Sequence, residues 1–129
     1  MKSPTSLVRL KTFHLREKQR HLQQLETMER EFRRMVEALN SQIQEEERKS
    51  GITDNAHFAY SIFAKAAANR RDNLLHSIDN LQERKEAARL LLQRANGDLE
   101  KAQELEKREG QIITPPEEIQ FIRRRAMIG

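Results

Sequence analysis

The stretch Ala67–Ala102, AANRRDNLLHSIDNLQERKEAARLLLQRANGDLEKA, decides the fold. Read in sevens, it sets Ala67, Leu74, Leu81, Ala88, Ala95 and Ala102 at one position, and Ile78, Leu92 and Leu99 four residues after three of them. An alternation of four and three held for about five heptads is the period of a helix that buries one narrow stripe against another helix. Arg71 and Lys85 interrupt the stripe, and both have stems long enough to lie along an apolar seam with the charge outside. Alanine at alternate layers lets the partner helix come close, toward the short end of the ~8–10 Å range of axis separations.

The partner lies upstream. Leu7, Leu10, Phe13/His14, Leu22, Leu25, Met28, Phe32, Met35/Val36, Leu39 and Ile43 also recur at threes and fours, although Lys11, Lys18 and His21 weaken the first half. This predicts one helix over about residues 6–49. Gly51 suits the left-handed residue that ends a helix, and Arg48 and Lys49 complement the dipole in its last turn. Thr53 or Asp54 is the expected cap of a second helix over about residues 55–109, with a turn at 50–54. So short a connection makes the helices antiparallel. Paired residue numbers then sum to about 103–105, which matches Leu25 with Ile78 and Leu22 with Leu81 and falls within one of Leu10 with Leu92. The expected class is all-α: a long two-helix antiparallel coiled-coil hairpin. Residues 110–129 add a linker and a short basic helix, in which Thr114-Pro115-Pro116-Glu117 reads as a capping box.

Composition agrees with long solvated helices: 36% of the 129 residues are hydrophobic and 34% charged, too lean for a thick core. There is no cysteine, hence no disulfide and no thiolate metal site. The opening MKSPTSLVRLKTF has no apolar signal core, and no run approaches the ~18 apolar residues of a membrane span. A soluble cytosolic protein without direct membrane insertion is expected.

Chemistry-bearing patterns are sparse. His14 and His21 stand seven apart with no third ligand, so no metal site is expected, and no cofactor. The serines lack a glycine elbow or a paired base, no glycine-rich phosphate loop is present, and two helices offer no deep pocket for a small-molecule substrate. Catalysis is not expected. Two stretches suggest partners instead. Residues 1–20 carry Lys2, Arg9, Lys11, Arg16, Lys18 and Arg20 against Glu17 alone, which is either a solvated face or a surface for an acidic partner. Nucleic acid is disfavoured, because the intramolecular hairpin lacks the parallel fork of a basic-zipper protein and Phe13 is the arm's sole aromatic. The second stretch, Phe58-Ala59-Tyr60-Ser61-Ile62-Phe63, holds three of the six aromatics. The heptad frame places Tyr60 on the seam, Phe63 beside it, and Phe58 and Ile62 facing out, where they either meet a partner or are covered by the turn with Ile52.

The opening MKSPTSLVRLKTFHLREKQR and the central GITDNAHFAYSIFAKAAANRRDNL resemble the flagellar export protein FliJ family in its alphaproteobacterial form. The likeness is motif-like from the first residue to about Leu81 and does not extend to the TPPEE tail. It implies a small soluble part of the flagellar type III export apparatus, an antiparallel coiled coil similar to the γ subunit of F-type ATPases. It further implies three partners: the export ATPase ring, the export gate membrane protein and export chaperones. The implied location is cytoplasmic, peripheral to the inner membrane at the flagellar base. On this reading the arm with Arg9, Lys11, Arg16, Lys18 and Arg20 enters the ring, and the tip with Phe58 and Ile62 faces the gate. The rival readings are a generic coiled-coil adaptor or structural rod, and a basic nucleic-acid-binding helical protein.

Overall fold

The structure is a computed structural model that describes residues 4–113. It consists of two long helices, α1 (Pro4–Ser50) and α2 (Ile62–Ile113), packed against each other as an all-α helical hairpin. The helix-ending role of Gly51 holds: its φ is +73°, and its N–H donates to the Glu47 carbonyl at 2.8 Å, the single bond of a left-handed cap. Other boundaries differ from expectation. Helix α2 begins at Ile62 rather than near Asn55, and it runs through Gly110 to Ile113 rather than stopping at Glu109. The short helix expected after Thr114 lies outside the described residues.

The backbone divides into two compact units. One is His21–Ala88; the other combines the stretches on either side of it. In both units the seam of α2, which the loop residue Tyr60 continues upstream, is Ala64, Ala67, Arg71, Leu74, Ile78, Leu81, Lys85, Ala88, Leu92, Ala95, Leu99 and Ala102, and all of these with Tyr60 are buried or half-buried. These residues alternate by four and three without a break. The seam of α1 obeys the same rule through Val8, Lys11, Leu15, Lys18, Leu22, Leu25, Glu29, Phe32, Val36, Leu39 and Ile43. Phe13, Met28 and Met35 are therefore not seam residues but exposed flank or outer positions, which corrects the sequence-based stripe.

Within His21–Ala88 the core forms two clusters. Leu25, Leu81 and Ala88 are buried with Leu22 and Phe32 packed on them; Ile43, Ala64 and Ala67 are buried with Leu39, Tyr60 and Ala68 around them. Ala64 is 0% exposed, which is how a methyl side chain permits close approach beside Ile43. Two polar bridges cross the same seam. Lys85 Nζ donates to Glu29 Oε1 at 2.9 Å, and Arg71 Nη1 donates to Asn40 Oδ1 at 3.1 Å. The second Glu29 oxygen accepts from Arg33 Nε at 2.9 Å. Hydrogen bonds from Lys85 first, then Arg33, lower the Glu29 carboxyl to about 2. These pairs sum to 114 and 111, so α1 is displaced by about one heptad from the expected register of 103–105.

Candidate interaction surfaces

The connection between the helices, residues 51–61, is a built loop. Asp54 Oδ1 accepts the Ala56 N–H at 3.0 Å, and the Asp54 carbonyl accepts the His57 N–H at 3.1 Å. That beginning resembles a capped helix, as the sequence suggested, but His57 ends it. Its Nδ1 takes the Ala59 N–H at 3.0 Å, a donor that a helix would direct to the Asn55 carbonyl, and its carbonyl takes the Tyr60 N–H at 3.0 Å. Ser61 then starts α2 afresh: its Oγ accepts the Ala64 N–H at 3.2 Å and its carbonyl accepts the Lys65 N–H at 3.0 Å. Ser61, not Thr53 or Asp54, is the N-cap.

Tyr60 anchors this loop to the helices of its own unit. Its ring lies on the Ile43–Ala64–Ala67 cluster, and its hydroxyl donates to Glu47 Oε2 at 2.9 Å. Desolvation and the neighbouring Glu47 carboxylate both raise the phenol above its ordinary value. Ser61 Oγ adds a 3.3 Å bond to Glu46 Oε2. With the loop base fixed, its apolar side chains are held outward: Phe58 is 97% exposed, Ile62 80% and Phe63 71%. The turn does not cover Phe58 and Ile62, and Phe63 is more exposed than a place beside the seam implies. His57 stacks on Phe58 with ring centroids 4.7 Å apart. Three large apolar side chains on a short loop and the first turn of α2 form a surface suited to a partner. The double variant Phe58→Ala, Ile62→Ala is expected to keep its helical circular dichroism and melting temperature while losing partner binding. A matched fall in both would place the two side chains in the core.

In the other unit, the five basic residues singled out in the arm do not form one patch. Arg9, Phe13, Arg16 and Arg20 follow each other by four, three and four along one exposed stripe of α1. Arg20 is tied back to Glu17. Lys11 and Lys18 occupy seam positions instead, and with His14, Leu91, Arg94, Ala95 and Asp98 they line a groove of about 340 Å³. Their stems are half-buried, as long cationic side chains can be on an apolar seam. Among the described residues no His, Asp and Glu cluster could hold a metal ion, and no helix is long and apolar enough to cross a membrane.

No protein-family model matches this chain, and no curated protein or solved structure matches it either.

Proposed function

We propose that this chain is a non-enzymatic coupling component of the flagellar type III export apparatus, linking the export ATPase ring to the export gate and assisting chaperone and substrate delivery. The observation that carries the reading is the residue block GITDNAHFAYSIFAKAAANRRDNL, with its resemblance to the FliJ family. The hairpin supports it in one respect. That block supplies the turn glycine and the first layers of the α2 seam: Tyr60, Ala64, Ala67, Arg71 and Leu74. A protein of this kind works in the cytoplasm at the inner face of the inner membrane, without inserting into it.

On this reading the exposed stripe of the arm meets an acidic surface of the ATPase ring. Charge steering there acts chiefly on association and weakens with salt. The residues to reverse are Arg9 and Arg16, because Lys11→Glu or Lys18→Glu would also place a carboxylate in the seam. The full chain is expected to co-purify with the export ATPase and to stimulate its hydrolysis. Arg9→Glu with Arg16→Glu is expected to remove the stimulation, with helicity unchanged. Stimulation at the wild-type level in that variant would refute the placement of the arm. Failure of the wild-type chain to bind the ATPase, together with normal swimming in a deletion strain, would leave the generic adaptor as the better reading.

A further inference from the structure

The two flanks of the seam in the His21–Ala88 unit are built differently. On one flank, polar side chains bridge the helices: Asn40 to Arg71, Tyr60 to Glu47, and Ser61 to Glu46. On the other flank lie Met28, Met35 and Gln42 of α1, each seven apart, opposite Phe63, Arg70, Ser77 and Arg84 of α2, also seven apart. No hydrogen bond between the helices joins these residues among those described. Met28 is 38% exposed and Met35 50%. Between the helices on this side runs a groove of about 410 Å³, lined by Met35, Ala38, Leu39, Arg70, Asn73 and Leu74. The small Ala38 leaves the floor of the groove open to Leu39 and Leu74.

We infer that this flank is a docking groove for an acidic amphipathic helix of another protein. Its shape and chemistry select such an occupant. A shallow apolar channel between two helices takes a third helix, whose i, i+3, i+4 and i+7 side chains enter it. Methionine, unbranched and polarizable, adapts to the side chains of such a ligand. The sign of the charge follows from the α2 edge alone, because on the α1 edge Glu31 and Glu45, one heptad either side of Ala38, are exposed and Glu45 is paired with Arg48. Arg70 and Arg84 are exposed and make no ion pair within the described residues. They stand fourteen residues apart on α2, about 21 Å at 1.5 Å per residue. A ligand helix lying along the groove meets both only if it carries carboxylates about two heptads apart beside its apolar stripe. The inference stands whether or not the chain works in flagellar export.

The test uses the full chain and a fluorescein-labelled 21-residue helical peptide, leucine on its heptad seam and glutamate on the one edge that meets α2. A second peptide has lysine in place of every glutamate. Fluorescence anisotropy is expected to show saturable binding of the glutamate peptide only, weakening as salt is raised. Arg70→Glu with Arg84→Glu is expected to weaken it about tenfold or more, and Met28→Gln with Met35→Gln to do the same. Arg34→Glu, on the outer face of α1, is expected to change nothing. All these positions are exposed, and each variant is expected to keep the wild-type circular dichroism, which is measured alongside. Equal binding of the two peptides, no binding of either, or affinity unmoved by the groove variants overturns the inference. So does self-association of the full chain in sedimentation velocity that Met35→Glu abolishes, because a second copy then covers the flank. Binding to phosphatidylserine vesicles that is lost with the two methionines assigns the flank to a membrane surface and overturns it equally.

Discussion

Leu25→Ala is expected to lower the stability of the hairpin by about 3 kcal/mol, within the range of about 2–5 kcal/mol for truncating a buried leucine. Leu25 is 1% exposed and is the largest fully buried side chain described. It sits between Leu81 and Ala88, with Leu22 and Phe32 against it. Because Ala88 already contributes only a methyl group, truncation of Leu25 leaves two small side chains in one layer, and Leu81, Leu22 and Phe32 lose their contacts with it. Helix pairing has little other apolar burial to compensate, and total stabilities of small domains are only about 5–15 kcal/mol. Urea denaturation followed at 222 nm measures the change through its midpoint at constant slope. Met35→Ala, at a position half exposed, is expected to cost under about 1 kcal/mol in the same assay. Equal losses for Leu25→Ala and Met35→Ala would mean that the seam does not run where the burial pattern puts it.

That burial pattern is legible in the sequence of α2, because thirteen residues from Tyr60 to Ala102 keep one period while the large apolar residues off it, Ile62, Phe63, Leu75, Leu90 and Leu91, repeat no second stripe. In α1 the reading failed where apolar residues were too many rather than too few. Met28 and Met35 each precede a seam residue by one, and Phe13 stands next to the seam-forming Leu15 region, so hydrophobicity alone could not choose among them. Glu29 hides for a different reason: a carboxylate at a seam position is legible only once Lys85 is known to lie opposite. The turn failed differently. Asp54 makes the first bond that a helix cap makes, and nothing in residue type announces that the His57 ring captures the Ala59 N–H. Misplacing the turn then moved the pairing by about seven residues, and a shift of one heptad still lays seam on seam. Apolar matching on paper could not detect it. Of the two surfaces singled out, the residue types left Phe58 and Ile62 either exposed or covered by the turn; the loop settles it, because Phe58 lies outside any helix and both are exposed. The separation of Lys11 and Lys18 from Arg9, Arg16 and Arg20 follows from the seven-residue step that puts both lysines on the seam.

The pair that resolves this ambiguity is Glu29 with Lys85, and Lys85→Met is expected to cost about 2 kcal/mol, as for a charged hydrogen bond whose acceptor stays enclosed. Their side chains are only 14% and 11% exposed. Arg33 still holds one Glu29 oxygen in the variant, which keeps the loss below that of an orphaned buried charge. The effect has a pH signature. The Glu29 carboxyl is lowered from an ordinary 4.5 to about 2 in the folded chain. A folded value below the unfolded one means that the contribution is fully present above about pH 4.5 and is lost as the pH falls toward about 2. The stability difference between wild type and Lys85→Met is therefore flat at neutral pH and shrinks across that window. A difference that stays constant down to pH 2 would assign the cost to lost packing by the lysine stem. Replacing both partners, Glu29→Leu with Lys85→Leu, is expected to be neutral or stabilising, yet to relax the register. Sliding α1 by one heptad would set Glu29 against Ile78 and Lys85 against Leu22, which strands both charges among apolar side chains and penalises the slipped pairing. The double-leucine variant lacks that penalty. Because the chain has no cysteine, spin labels on cysteines introduced at Gln23 and Ala87 read the register directly. A single distance is expected in the wild-type background. In the double-leucine background a second population is expected, displaced along the helix by about 10 Å, the length of seven residues. One unchanged distance in both backgrounds would show that the loop from Gly51 to Ser61, and not the charge pair, sets how the two helices align.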